Sequence, residues 1–176
     1  MRETPARDHR TTDPQDEPRR TRAVGPSKVL LGWREWLALP DLGIHRIAAK
    51  IDTGARTSAL HARDMVVVHT DEGMVAEFTP PLLRHQGDAD VWPLGGVRRV
   101  RAPLVDERIV RSSNGEEEPR WVIRTAFTLG GIEFESELTL TNRSGMRFPV
   151  LIGRQALRTR FLVNPGRSHL GGGRRG

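Results

Sequence analysis

Residues Ala49-Lys50-Ile51-Asp52-Thr53-Gly54-Ala55 carry the strongest chemical signal in the chain, an alternating apolar strand that ends abruptly in Asp-Thr-Gly. A carboxylate at a strand end sits on a rigid edge, where it is suited to general acid–base work on a water. The threonine hydroxyl bonds neighbouring backbone, and the glycine permits a sharp turn and the close approach of a ligand or a second chain. An ordinary turn uses the same three residue types, so the tripeptide alone does not choose between structure and chemistry. A second motif lies about a hundred residues on. Phe148-Pro149-Val150-Leu151-Ile152-Gly153-Arg154-Gln155-Ala156-Leu157 is an aliphatic strand running into Gly-Arg and a short helix.

Other chemistries find little support. A zincin pairs two histidines one helical turn apart around a glutamate. His9, His45, His61, His69, His85 and His169 contain no such pair, and a His61–His69 approach across strands is less expected than two separately satisfied rings. No Gly-Lys-Ser/Thr loop exists to cradle a phosphate, and the only lysines are Lys28 and Lys50. Ser58 and His61 are too close in sequence to define a triad, which is recognised by geometry. With no cysteine there is no thiol nucleophile, no thiolate zinc site and no disulfide scaffold, which fits a reducing cytoplasm. No metal and no cofactor are expected.

The elements that must position Asp52 come from a chain of 176 residues, enough for one domain with a sizeable core or two very small ones. No apolar run approaches the ~20 residues of a membrane span, and Met1 to Arg10 lacks the apolar block of a secretory signal. The net charge of +6 suggests nucleic acid until it is divided. Residues 1–27 carry +1, residues 28–164 carry +2 and the tail from Pro165 carries +3. The body shows only Arg98, Arg99 and Arg101 as a cluster, read as a solvated edge strand or loop. Nucleic acid is therefore not an expected partner. Residues 1–27 and 166–176 have too few aliphatic side chains to offset their ordering entropy and are expected to be disordered. The folded domain is placed at 28–165.

Inside it the hydrophobic period is two. Ile47, Ala49 and Ile51 alternate, as do Ile132, Phe134, Leu138 and Leu140. Met65–His69 and Val75–Thr79 read as short strands. Trp121–Leu129 and Ile132–Leu140 flank Gly130-Gly131, the best hairpin signal in the chain. Only Arg154–Thr159 reads as a helix. Pro80-Pro81 through Gly95-Gly96 reads as an irregular excursion. Trp33 and Trp36 are assigned to the core or a dimer interface, and Glu116-Glu117-Glu118 to a solvated loop. The fold class is all-β, a barrel or sandwich.

The order of the two motifs resembles retropepsin-like aspartic peptidases. A longer resemblance runs from about Lys28 to Ser168. Gly32-Trp33-Arg34-Glu35-Trp36, Ala49 through Ala62, Thr141-Asn142-Arg143 and Leu151 through Leu157 are similar to the RimK-associated retropepsin-like peptidases, often labelled ATP-dependent zinc proteases. The resemblance implies a closed retropepsin-like (acid protease) barrel of about six strands with one short C-terminal helix. It also implies one Asp-Thr-Gly per chain, and the sequence holds no second copy of that motif. Hydrolysis of this type needs two carboxylates sharing a proton, one as base and one as acid. The second carboxylate must then come from another chain across a two-fold axis, so the expected enzyme is a homodimer acting on a protein or peptide.

On that reading Asp52 is the catalytic acid/base, Thr53, Gly54 and Ala55 form the active-site loop, and Gly153 and Arg154 give structural support. Arg108, Ser112, Asn114 and Gly115 belong to a strand and turn read either as a flap over the cleft or, preferably, as a plain hairpin. Viral-type enzymes commonly carry an acid where this chain has Arg56, which removes an acid–Arg154 brace. The zinc and ATP of the family label find no motif here. ATP would enter through a RimK-type ligase, a possible partner. The alternative function is a non-catalytic barrel that binds or regulates such a ligase. A third is a basic RNA- or ribosome-associated protein.

Overall fold

The computed structural model describes residues 27–81, 99–111, 115, 117–143 and 146–172. The segment 1–26, most of the Pro80–Gly96 excursion, and Arg98, Ser112, Asn114 and Glu116 lie outside the described residues. Eleven strands follow in order: β1 (Val29–Gly32), β2 (Arg34–Leu39), β3 (Ile44–Ile51), β4 (Ser58–His61), β5 (Arg63–Thr70), β6 (Gly73–Thr79), β7 (Val100–Arg111), β8 (Glu117–Leu129), β9 (Ile132–Thr141), β10 (Val150–Ile152) and β11 (Phe161–Asn164). A 3-10 turn, Pro40–Leu42, joins β2 to β3, and one helical turn, α1 (Arg154–Leu157), separates β10 from β11. The fold is all-β, as the period-two pattern requires. The helix is shorter than the Arg154–Thr159 expected from sequence.

Strands β2, β3, β10, β4, β9 and β8 are paired in that order, and β2 pairs back to β8 through Leu37↔Leu129 and Ala38↔Thr128. Those contacts close the strands into a ring. Each strand sends alternate side chains inward, as a pleated strand must. Leu37, Ile47, Leu60, Phe127, Leu138, Leu140, Val150 and Ile152 meet there, essentially without exposure. Gly130 and Gly131 make the β8–β9 turn with φ of 59° and 75°. Two successive left-handed residues match the twist of the flanking strands, and glycine adopts them without a Cβ penalty.

The sheet continues beyond the ring as β8-β7-β6-β5. Strand β7 pairs with β6 through Val100–Pro103 and with β8 through Leu104–Arg111. The stretch around Arg101 thus pairs with β6 alone and its side chain is 73% exposed, as a solvated edge requires. Glu77 of β6 takes both cations: Arg101 lies 2.5 Å and Arg99 3.7 Å from its carboxylate oxygens.

The C-terminal residues also depart from expectation. Disorder from residue 166 onward does not describe Gly166–Gly172. β11 pairs in parallel with β1, and the chain then doubles back along β2. Trp33 N donates to Arg167 O at 2.8 Å, and His169 N donates to Arg34 O at 2.9 Å. The buried carboxylate of Glu35, 1% exposed, accepts from the backbone N–H groups of Gly32, Leu170 and Gly171 through one oxygen. His169 stacks on Trp36 at 4.9 Å. The strap is held by backbone bonds to Trp33, Arg34 and the buried Glu35 carboxylate and by the His169–Trp36 stack, contacts that composition does not announce.

Glu35→Ala should lower unfolding free energy by roughly 2–3 kcal/mol, since buried donors then lose their acceptor. Glu35→Gln, which keeps a carbonyl acceptor, should recover part of that loss. Urea titration of the two variants checks both outcomes.

Candidate active site

Strand β3 delivers Asp52 to a fixed point. Lys50 and Asp52 are two residues apart and so share a strand face, while the intervening Ile51 is buried. The Asp52 backbone N–H donates to Ile152 O at 2.9 Å, which extends the parallel β3–β10 register by one bond. The chain then folds around the carboxylate. Asp52 Oδ1 accepts from Gly54 N at 2.9 Å and Ala55 N at 3.0 Å, and Oδ2 accepts from Lys50 Nζ at 2.9 Å. The Asp52 side chain is 23% exposed and that of Lys50 is 46% exposed. Partial burial pushes the carboxyl upward. The Lys50 ammonium and the two backbone donors together outweigh it, and the group is held below the usual carboxylate range.

Every carbonyl from Thr53 to Arg56 is tied down by the start of α1. Arg154 Nη1 donates to Thr53 O at 3.1 Å and Gly54 O at 2.7 Å. Arg154 N donates to Ala55 O at 2.9 Å and Gln155 N to Arg56 O at 3.1 Å. Arg154 thus grips the loop through its backbone, a geometry that does not call on an acidic side chain at position 56. Gly153 makes the contact possible: a Cβ there would lie 2.3 Å from Thr57 O and 2.5 Å from its carbonyl carbon. Its N–H donates to Ser58 Oγ at 3.2 Å. The structure therefore brings Asp52, Thr53, Gly54, Ala55, Gly153 and Arg154 together in one knot.

The knot floors an open groove of about 1430 Å³. Cations dominate its lining: Lys50, Arg56, Arg108, Arg111, Arg120, Arg143 and Arg147, against the acids Asp52 and Glu137. The β7 segment Arg108–Arg111 forms one wall. Arg108 is not free, because it is ion-paired with Asp106 and Glu137. Gly115, at the β7–β8 turn, is exposed with φ of 88° and does not line the groove.

Sequence reasoning missed several lining residues. Trp33, assigned to core or interface, lines the groove with its ring edge-on to Phe148 at 5.7 Å. Lys50 was legible in principle, two positions before the aspartate on an alternating strand. Arg120, Glu137 and Arg143 come from β8, β9 and the loop after β9, and no local pattern announces that they meet. His61 and His69 lie on strands that do not pair with each other: β4 pairs with β9 and β10, β5 with β6. Among the described residues no cluster of three or more His, Asp or Glu is placed to hold a metal. No helix among them is long and apolar enough to cross a membrane.

Residues 30–172 match the model of the RimB-like family, described as retropepsin-like aspartic endopeptidase RimB. The chain belongs to that family. Its segment is also 41% identical over 142 residues to a probable alpha-L-glutamate ligase of Parasynechococcus marenigrum, covering 81% of this chain and 29% of that protein. A probable alpha-L-glutamate ligase of Shewanella pealeana is 36% identical over 149 residues, with 82% and 30% covered. The chain thus spans less than a third of the length of these relatives. In fold it is similar to the crystal structure of a Legionella pneumophila protein of unknown function, with a TM-score of 0.65, 23% identity, and 83% of this chain and all of that one covered.

Gly153→Ala should be costly, near the top of the ~1–3 kcal/mol typical of overpacking, because the obstructing atoms are backbone. A thermal melt should show the destabilisation, and trypsin, which cuts after arginine, should cleave at Arg56 in the loosened 52–57 loop faster than in the parent.

Proposed function

We propose that this protein is an aspartic endopeptidase whose water-activating pair is Asp52 and the Asp52 of a second copy across a two-fold axis. The supporting observation is a rigidly held, partly exposed carboxylate on the floor of a groove large enough for an extended peptide. Two carboxylates brought within hydrogen-bond distance hold one proton between them. The ionised member takes a proton from water as the water oxygen attacks the scissile carbonyl carbon. The protonated member gives its proton to the carbonyl oxygen. Collapse of the resulting diol breaks the C–N bond, and the amine leaves with a proton returned through the pair. Thr53 would meet its symmetry mate at the axis, Gly54 and Ala55 would lie under the substrate, and Gly153 and Arg154 would hold the loop.

The substrate class follows from charge. A groove with seven cations against two acids favours an acidic polypeptide, and relatives named as glutamate ligases act in the same chemical territory. A RimK-type ligase is the proposed functional partner. A second reading, a non-catalytic binding partner of that ligase, draws on the same names and on Lys50, which occupies Asp52 Oδ2 in the single chain.

Asp52→Asn should reduce peptide cleavage about 10³-fold or more, within the range general acid–base groups supply, with an unaltered circular dichroism spectrum. Excess Asp52→Asn chain mixed into the parent should suppress activity beyond simple dilution, as mixed dimers lack one carboxylate. A protein that stays monomeric in sedimentation and cleaves nothing would favour the binding-partner reading.

Lys50→Met removes the charge that lowers the Asp52 pKa, so the carboxyl rises and protonates at higher pH. Both limbs of the pH–rate profile should move upward. An unmoved profile would mean that Lys50 leaves Asp52 when the dimer forms.

A further inference from the structure

The groove cations are not equivalent. Lys50 is paired with Asp52, Arg108 with Asp106 and Glu137, and Arg111 with Glu117. Arg56 and Arg147 are exposed, where water serves an unpaired guanidinium at little cost. Arg120 and Arg143 are different. The Arg120 side chain, on β8, is 13% exposed; one terminal nitrogen lies 3.2 Å from Glu118, but its Nε is buried with no hydrogen-bond partner. Arg143, just past the end of β9, is partly buried; its Nε donates to Phe148 O at 3.5 Å, and among the described residues no carboxylate is ion-paired with it. Burial and then the positive charge of Arg120 push its pKa down, while the Asp52 carboxylate opposes them. Arg143 therefore sits in the field of both Arg120 and the candidate catalytic acid.

Removing a guanidinium from water without a full set of acceptors is costly, and protein interiors seldom tolerate it without return. Arg120, with one carboxylate contact and a buried Nε left over, and Arg143, with one carbonyl acceptor, together leave the groove a local surplus of positive charge and of N–H donors. The missing partner has the chemistry of a carboxylate, which a guanidinium binds through parallel N–H···O bonds.

We propose that Arg120 and Arg143 form a carboxylate-binding subsite that selects one acidic side chain of the substrate beside the scissile bond. The assignment rests on the peptidase reading for its place in the reaction, though not for binding itself. His61 is the positioning residue. Its Nδ1 accepts from the Arg143 backbone N–H at 2.8 Å, and the ring is 8% exposed within β4. Nδ1 must therefore be unprotonated, which burial and then the charges of Arg63 and Arg143 favour. The bond anchors the Arg143 backbone to the ring of strands, so the guanidinium is offered to the groove from a fixed base.

The test uses the full chain and alanine-based peptides carrying a single Glu or a single Gln at successive positions. The parent should prefer Glu over Gln at one position by about tenfold or more in kcat/KM, a charge-assisted hydrogen bond being roughly twice as strong as a neutral one. Arg143→Met should erase that preference at that position alone, with the loss falling in KM. Arg143→Lys should retain part of it. His61→Asn, which places an oxygen near the Nδ1 position, should preserve the preference, and His61→Phe should lose it. A Glu/Gln ratio unchanged in Arg143→Met, while Asp52→Asn abolishes cleavage, overturns the subsite and leaves the peptidase standing. If no peptide is cleaved, binding of the same pairs followed by Trp fluorescence replaces the kinetics. Equal affinity for Glu and Gln peptides in the parent then overturns the subsite.

Discussion

The close approach of Gly153 to the backbone of Thr57 is the contact on which the site depends. Because no side chain separates the two segments, β10 and the start of α1 lie directly against the chain that follows Asp52. That proximity lets Ile152 O receive the Asp52 N–H, and lets Arg154 and Gln155 reach four successive carbonyls of the loop. The carboxylate is then fixed from two sides. Its own loop donates two N–H groups to Oδ1, and the neighbouring strand holds the loop that donates them. A rigid acid costs little reorganisation at the moment of proton transfer, which is the advantage of building such a group on paired strands and not on a free loop.

Charge gives this knot its particular character. An isolated carboxylate in a partly buried site drifts toward neutrality, and Lys50 reverses that tendency by contributing the nearest cation. The wider groove repeats the theme with guanidinium groups drawn from β7, β8 and two loops. Some of these cations are neutralised in pairs that brace the walls, and others are exposed or only partly paired. The division is visible only once the strands are assembled, because the acids that do the neutralising, such as Glu137, lie far away in sequence.

Much of the architecture was legible beforehand. Period-two alternation in residues 47–51 and 132–140 and the Gly130-Gly131 pair specify strands and a hairpin by local sterics, and Asp52-Thr53-Gly54 followed by Ile152-Gly153-Arg154 marks the two halves of the knot. What stayed hidden has a common cause. The hand-over of β7 from β6 to β8, the place of Trp33 in the groove, and the meeting of Arg120 with Arg143 are long-range outcomes that no window of ten residues contains. The strap at 166–172 was misjudged for a related reason: a Gly-rich stretch reads as solvent-loving, yet its amides converge on Glu35, more than a hundred residues earlier.

The parallel pairing of Val29–Gly32 with Phe161–Asn164 joins the first and last described strands. On the ribosome, residues 29–32 wait through the synthesis of some 130 more before their neighbour exists. The buried acid that follows them waits longer still for its strap. Such a topology has a high contact order and delays closure of the core until synthesis of this domain is almost over. Until Phe161–Asn164 is made, Val29–Gly32 therefore lacks its hydrogen-bonded neighbour, and an unpaired strand edge is a surface open to pairing with other chains.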